Sequence, residues 1–361
     1  MIMITIIIFI VECFMGFKSE SLFFWLVIDN DSLSQKCCKE ECRRMKKRYL
    51  IAALVVLSFC SVFIGVKNVN PLDLFRLDEE ATQILLISRL PRLASIIIAG
   101  VSMSIVGLIM QQLSRNKFVS PTTAGTMDAA KMGILVSMMM FASASPLQKM
   151  LVAFGFALVG TWVFMKILDR IKFKDTIFIP LVGLMFGNIV SSVTTFFAYK
   201  YDLIQNIFSW LQGDFSLVIK GQYELIYVSV PLVVIAYAFA NKFTVAGMGE
   251  EFSINLGLNY KQIVNIGLII VALVTAVVVL TAGMIPFLGL IIPNIVSLYQ
   301  GDHLKKNLSH TALLGAVFVL FCDILGRVII YPYEISIGLT VGMLGSGIFL
   351  YLLMRSKKYA S

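Results

Sequence analysis

The sequence predicts an all-α polytopic membrane protein with about ten transmembrane helices. Three observations carry this. Apolar stretches of roughly 20 residues, long enough to cross a bilayer core, recur along the whole chain. Only 14% of the residues are charged and 58% are hydrophobic, where a soluble domain would carry about 25% charge. The Lys and Arg residues sit in short connections between apolar spans. A β-barrel would instead show alternating segments of about ten residues, and the text has none. The formal charge of +9 needs no nucleic acid, because positive-inside placement accounts for it.

The first 44 residues read as a leader. Their apolar patches, "MIMITIIIFIV" and "LFFWLVI", are separated by Glu12, Lys18 and Glu20. The second is too short to span. The first lacks a basic n-region and makes a poor signal peptide. Cys37, Cys38 and Cys42 cluster in "KCCKEEC"; an unstructured leader is favoured over a metal or redox site. At Met45 the text becomes "MKKRYLIAALVVLSF", a basic start running into a first span. The expected division is therefore a dispensable leader or upstream over-extension at 1–44 and a transmembrane domain at 45–361. An additional N-terminal membrane helix is the alternative.

Ten spans follow, at about 49–66, 93–113, 121–142, 147–168, 176–198, 222–240, 262–282, 285–299, 309–331 and 335–354. The segment "NIFSWLQGDFS" (206–216) is too short to cross and is expected to re-enter or lie at the surface. With the N-terminus from Met45 inside, seventeen Lys and Arg fall on the cytoplasmic side and eight outside. That predicts a multi-pass plasma-membrane protein with both termini cytoplasmic.

Arg89, Arg92 and Arg327 stand against this bias, at outer helix ends. Two readings stay open. Arg327 can pair locally with Asp323 one turn earlier, and Arg89 and Arg92 can snorkel to headgroups; or all three serve an external partner. The longest cytoplasmic loop, 241–263, holds Glu250 and Glu251, apolar Phe252, Ile254, Leu256 and Leu258, and punctuating Gly249 and Gly257. Two short helices separated by Gly257 are expected, forming a docking surface for a cytoplasmic partner or packing on the membrane. Gly183, Gly187, Gly100, Gly107, Gly338, Gly342, Gly345 and Gly347 lie in apolar spans, where small faces let helices approach closely.

Catalytic chemistry is not legible. His303 and His310 are the only histidines, and Cys60 and Cys322 lie within apolar spans as small buried residues. No GxxxxGK[ST] loop occurs, so ATP is not bound through a P-loop. No cofactor, metal site or enzymatic constellation is expected.

Four stretches resemble a family in order and at its spacing. These are "RLPRLASIIIAGVSMSIVGLIMQQLSRNKFVSPTTAG" (89–125), "GMGEEFSINLGLN" (247–259), "PFLGLIIPNIVSLYQGDHLKKNLSHTALLGAVFVLFCDILGR" (286–327) and "PYEISIGLTVGMLGSGIFLYLL" (332–353). They are similar to the signatures of FecCD-type ABC importer permeases, the iron-siderophore, haem and cobalamin class. Within it the text most resembles permeases for petrobactin-like ferric siderophores of Bacillus-type bacteria. Departures are Asn294 for the family's histidine after Pro293, Lys117 for the proline after Arg115-Asn116, Ser253 for alanine, and Ser346 for proline.

The resemblance implies a type II importer fold and a transport subunit rather than an enzyme. It implies a second permease subunit, copy or paralogue, to complete the pore. Two cytoplasmic ABC ATPases would dock on Gly249, Glu250, Glu251 and Gly257, and hydrolyse the ATP. An extracellular lipid-anchored binding protein, carrying the ferric siderophore, would present acidic residues to Arg89, Arg92 and Arg327. The competing reading is a proton- or sodium-coupled secondary transporter. That class needs midplane acids for coupling; Asp128, near Lys131, and Asp323, a turn from Arg327, do not look like such a relay.

Overall fold

The computed structural model describes residues 47–64, 83–141, 145–170, 178–216, 218–219, 221, 223–301 and 304–357. The 1–44 leader with its cysteines, and Lys67, Arg76, Lys172, Lys174, Lys220, His303 and Lys358, lie outside the described residues. Among the described residues thirteen α-helices run in order: α1 Lys47–Phe63, α2 Leu90–Leu113, α3 Thr126–Met140, α4 Pro146–Arg170, α5 Phe178–Lys200, α6 Ile204–Leu211, α7 Ser229–Ala238, α8 Ala240–Met248, α9 Glu250–Asn255, α10 Tyr260–Ala282, α11 Leu288–Gln300, α12 Leu304–Val328 and α13 Ile337–Lys357. Among the described residues there is no strand, only an isolated bridge between Gln212 and Met284.

Each predicted span coincides with a helix, but their lengths differ widely. Among the described residues five, carried by α2, α4, α5, α10 and α12, are long and apolar enough to cross a membrane alone, and a sixth forms if α7 and α8 count as one bent span. At 1.5 Å per residue, the thirteen residues of α11 rise only about 20 Å, short of the roughly 30 Å core. Irregular backbone at 283–287 completes that passage. Such backbone is tolerated at membrane depth only where protein or water satisfies it. Here Met284 N–H donates to Leu211 O (2.9 Å) and Asp214 N–H to Ala282 O (3.0 Å). The 206–216 segment is too short to cross; it pairs with the break between α10 and α11 and buries Ile207, Leu211 and Phe215.

α2, α10 and α12 form the centre. Their apolar windows are 72%, 78% and 72% buried within the chain, against 28% and 22% for α4 and α5. A helix that is apolar all round must be covered on all sides, by protein or by lipid. Small residues let the central helices meet. A Cβ on Gly100 would lie 2.8 Å from Gly315 O and 2.9 Å from Ala316 Cα, so α2 and α12 touch backbone to backbone.

One expectation is corrected. The 241–263 stretch is not a long loop, because α8 follows α7 with only Phe239 between them, at a 60° bend. Nor does Gly257 separate two short helices: it ends α9, and α10 begins three residues later. The bend before α8 is what sequence periodicity does not show, since apolar residues continue through it.

Candidate functional site

α2 carries a candidate site at each end. Arg92 stands in its first turn and Gln112 in its last, about 30 Å apart at 1.5 Å per residue.

At the first end Arg89, Arg92 and Arg327 converge. Arg92 donates one guanidinium N–H to Glu334 (2.7 Å) and another to Asp323 (2.8 Å). Asp323 also accepts from Arg327 one turn later on α12. Arg327 reaches on to Ser61 O (3.0 Å), Ile64 O (2.9 Å) and Ser61 Oγ (3.0 Å). Arg89 donates to Val62 O. The last carbonyls of a helix have no intrahelical donor and carry partial negative charge, so Arg89 and Arg327 cap the end of α1. The local Arg327–Asp323 pairing weighed in the sequence is present. Arg92 does not snorkel: its side chain is 13% exposed, between carboxylates that are 2% and 23% exposed.

Glu334 was not singled out by the sequence. It lies in the connection between α12 and α13, 242 residues from Arg92. Its only sequence signal is its place in "PYEIS" beside the last span.

At the other end, α2 meets α8, and the turn after α2 meets Gly249. A Cβ on Gly247 would lie 2.8 Å from Gln112 Cδ, and one on Gly249 would lie 3.2 Å from Arg115 Cζ. Gly249 breaks the chain between α8 and α9 at φ 129°, a value that L side chains rarely adopt. Ser253, fully buried, staples α9 back by donating to Gly249 O (2.6 Å) and Val245 O (3.1 Å). Gly257, at φ 75°, then closes α9 in a Schellman arrangement: Leu258 N–H donates to Ser253 O (2.9 Å) and Gly257 N–H to Ile254 O (2.9 Å). With its ends held, α9 presents Glu250 and Glu251 to the outside. Met248, Phe252, Ile254 and Leu256 are each 48–58% exposed.

Between the ends, Gln111 performs a repair that the sequence does not announce. Pro293 lies inside α11 and cannot donate to Gly289 O four residues earlier. Gln111 Nε2 donates there (3.4 Å) and to Leu290 O (3.1 Å). Two departures from the family text are also in contact. Asn294 Nδ2 donates to Lys117 O and to Leu290 O, both at 2.8 Å, and Lys117 Nζ donates to Ser297 Oγ (3.3 Å). Among the described residues no group of three His, Cys, Asp or Glu could hold a metal ion.

The bundle of long apolar helices, with an ion network at one end and an exposed apolar helix at the other, is that of a multi-pass membrane protein. The chain belongs to the FecCD transport family, whose sequence profile matches residues 53–355. It is 72% identical to the petrobactin import system permease protein YclN of Bacillus subtilis, over 88% of this chain and 100% of that protein. It is 40% identical to the ferric-anguibactin transport system permease protein FatD of Vibrio anguillarum, over 86% and 98% of the two chains. A solved metal-chelate type ABC transporter in an inward-facing conformation shares the fold, with a TM-score of 0.76 at 21% identity over 85% of this chain and 98% of that one. The chain is therefore a membrane-spanning transport subunit and not an enzyme.

Proposed function

We propose that this chain is the permease of an ATP-driven importer of petrobactin-type ferric siderophores, and that it lines the pathway with a second permease subunit, a copy or a paralogue. The observation that carries the substrate class is the 72% identity across the full length of a petrobactin permease. α9 supports the energy source. Four exposed apolar side chains beside two exposed acids suit a cleft on a cytoplasmic ABC ATPase better than open water. Arg115, Lys117, Lys242 and Lys261 belong to this same end, as the cytoplasmic face requires. The arginine end then faces outward, where a lipid-anchored binding protein delivers the chelate. Arg89 stands at that mouth with Arg92 and Arg327 beside it, and acids on the binding protein are their counterpart.

Permease, ATPase and binding protein reconstituted together should take up ferric petrobactin only when ATP is supplied. Uptake driven by a proton or sodium gradient without ATP would replace this reading with secondary transport. For the coupling helix, Phe252→Ser with Leu256→Ser should weaken ATPase binding by about 2 kcal/mol, roughly thirty-fold. Both side chains are exposed, so the permease should remain folded. Undiminished ATPase co-purification would remove α9 from the interface.

A further inference from the structure

The arginine end raises a difficulty. A docking arginine must offer N–H groups to a visiting carboxylate, yet each terminal nitrogen of Arg92 already donates to a carboxylate of its own chain, and the side chain is only 13% exposed. These two are not equivalent. Asp323 is 2% exposed, sits on the central helix α12 and is shared with Arg327. Glu334 is 23% exposed, sits in a connection, and pairs with Arg92 alone among the described residues. A carboxylate on a connection at the surface can leave with little rearrangement; one shared by two buried guanidiniums cannot.

Resting on the docking reading above, we propose that Glu334 is an exchangeable carboxylate, which holds Arg92 in the free permease and is displaced by an acidic side chain of the extracellular binding protein. The exchange conserves the charge-assisted hydrogen bonds of Arg92, with one carboxylate replacing another in the same fork.

The position of Glu334 gives the exchange a route inward. Its neighbour Ile335 donates its N–H to Gly326 O (2.9 Å), and Ser336 Oγ accepts from Gln212 Nε2 (3.3 Å). Two residues on, Gly338 N–H donates to Gly213 O (3.1 Å) at the head of α13. A Cβ on Gly338 would lie 3.2 Å from both Gly213 N and Met284 O. The connection that carries Glu334 therefore seats α13 on the 212–214 segment and the break between α10 and α11. Release of Glu334 removes one of the ties on that connection at the moment the chelate arrives.

The test is the rate at which the petrobactin-binding protein associates with the reconstituted permease–ATPase complex. Glu334→Gln removes the charge and should speed association about three- to tenfold, within the range that rim charges command. Long-range steering alone would do the same, so Glu334→Asp is the decisive variant. It keeps the charge, is one methylene shorter, and should also speed association because it holds Arg92 less well. In an Arg92→Gln background Glu334→Asp should have no effect, and Glu334→Gln should keep only the part of its gain that steering supplies. An unchanged rate in Glu334→Asp, or an equal gain with and without Arg92, overturns the exchange. If neutralising Arg89 and Arg92 together leaves both the rate and its salt dependence unchanged, the docking reading itself falls.

Discussion

Asp323→Ala should cost the protein about 3–5 kcal/mol, the usual penalty for removing one partner from a buried ion pair. The reason is local. Asp323 is the shared acceptor of Arg92 and Arg327, and Arg327 is only 6% exposed. Without the carboxylate, two guanidiniums face each other in a buried site, with Glu334 the one remaining paired acid among the described residues. Arg327 also holds Ser61 and Ile64, so its displacement should loosen α1 from the bundle. The expected result is a large fall in the thermal midpoint of the detergent-solubilised protein, or failure to accumulate as a monodisperse species. Adding Arg327→Met should restore part of the loss, because an apolar replacement of a buried pair is often tolerated. A midpoint unchanged in Asp323→Ala would mean that the network is hydrated and weak.

Gly107→Ala should destabilise the centre of the bundle by about 2 kcal/mol or more, the scale of overpacking a rigid contact. A Cβ there would overlap the carbonyl oxygen of Gly289 and come within 2.5 Å of its Cα and 2.6 Å of its carbonyl carbon. These are backbone atoms and cannot rotate away. The only relief is separation of α2 from α11. That separation also draws Gln111, one turn on, away from the Gly289 and Leu290 carbonyls, and leaves the proline-freed carbonyl unsatisfied. Transport should fall together with stability. Gly347→Ala is the contrasting case. Nothing lies within 4 Å of its added Cβ, so a helical alanine should be neutral or slightly stabilising. Similar thermal midpoints for the two variants would show that α2 and α11 are not in rigid contact.

Much of this protein is legible in its text because its strongest signals are local. An apolar run of sufficient length identifies a span wherever it packs, and glycine punctuates 241–263 as expected, although the break between two short helices falls at Gly249 and not at Gly257. The exposed apolar residues of α9 could be singled out because a solvated connection has no use for them. What was not legible depends on partners distant in the chain. Glu334 meets Arg92 across 242 residues, and Gln111 meets Gly289 across 178. The bend between α7 and α8 was hidden because hydrophobicity continues through it.

The sequence by itself determined the helical membrane class, the order of the spans, the family, and the presence of three arginines against the charge bias. It supplied residue type and local spacing, which suffice for burial in lipid and for helix ends. Only the tertiary structure decided that Arg92 and Arg327 turn inward onto Asp323 and Glu334, and that the 206–216 segment braces the break before α11. Ion pairs and hydrogen bonds act over a few ångströms, and the helices that bring those groups within reach are set by backbone contacts such as Gly100 on Gly315 and Gly107 on Gly289, which the sequence shows only as isolated glycines.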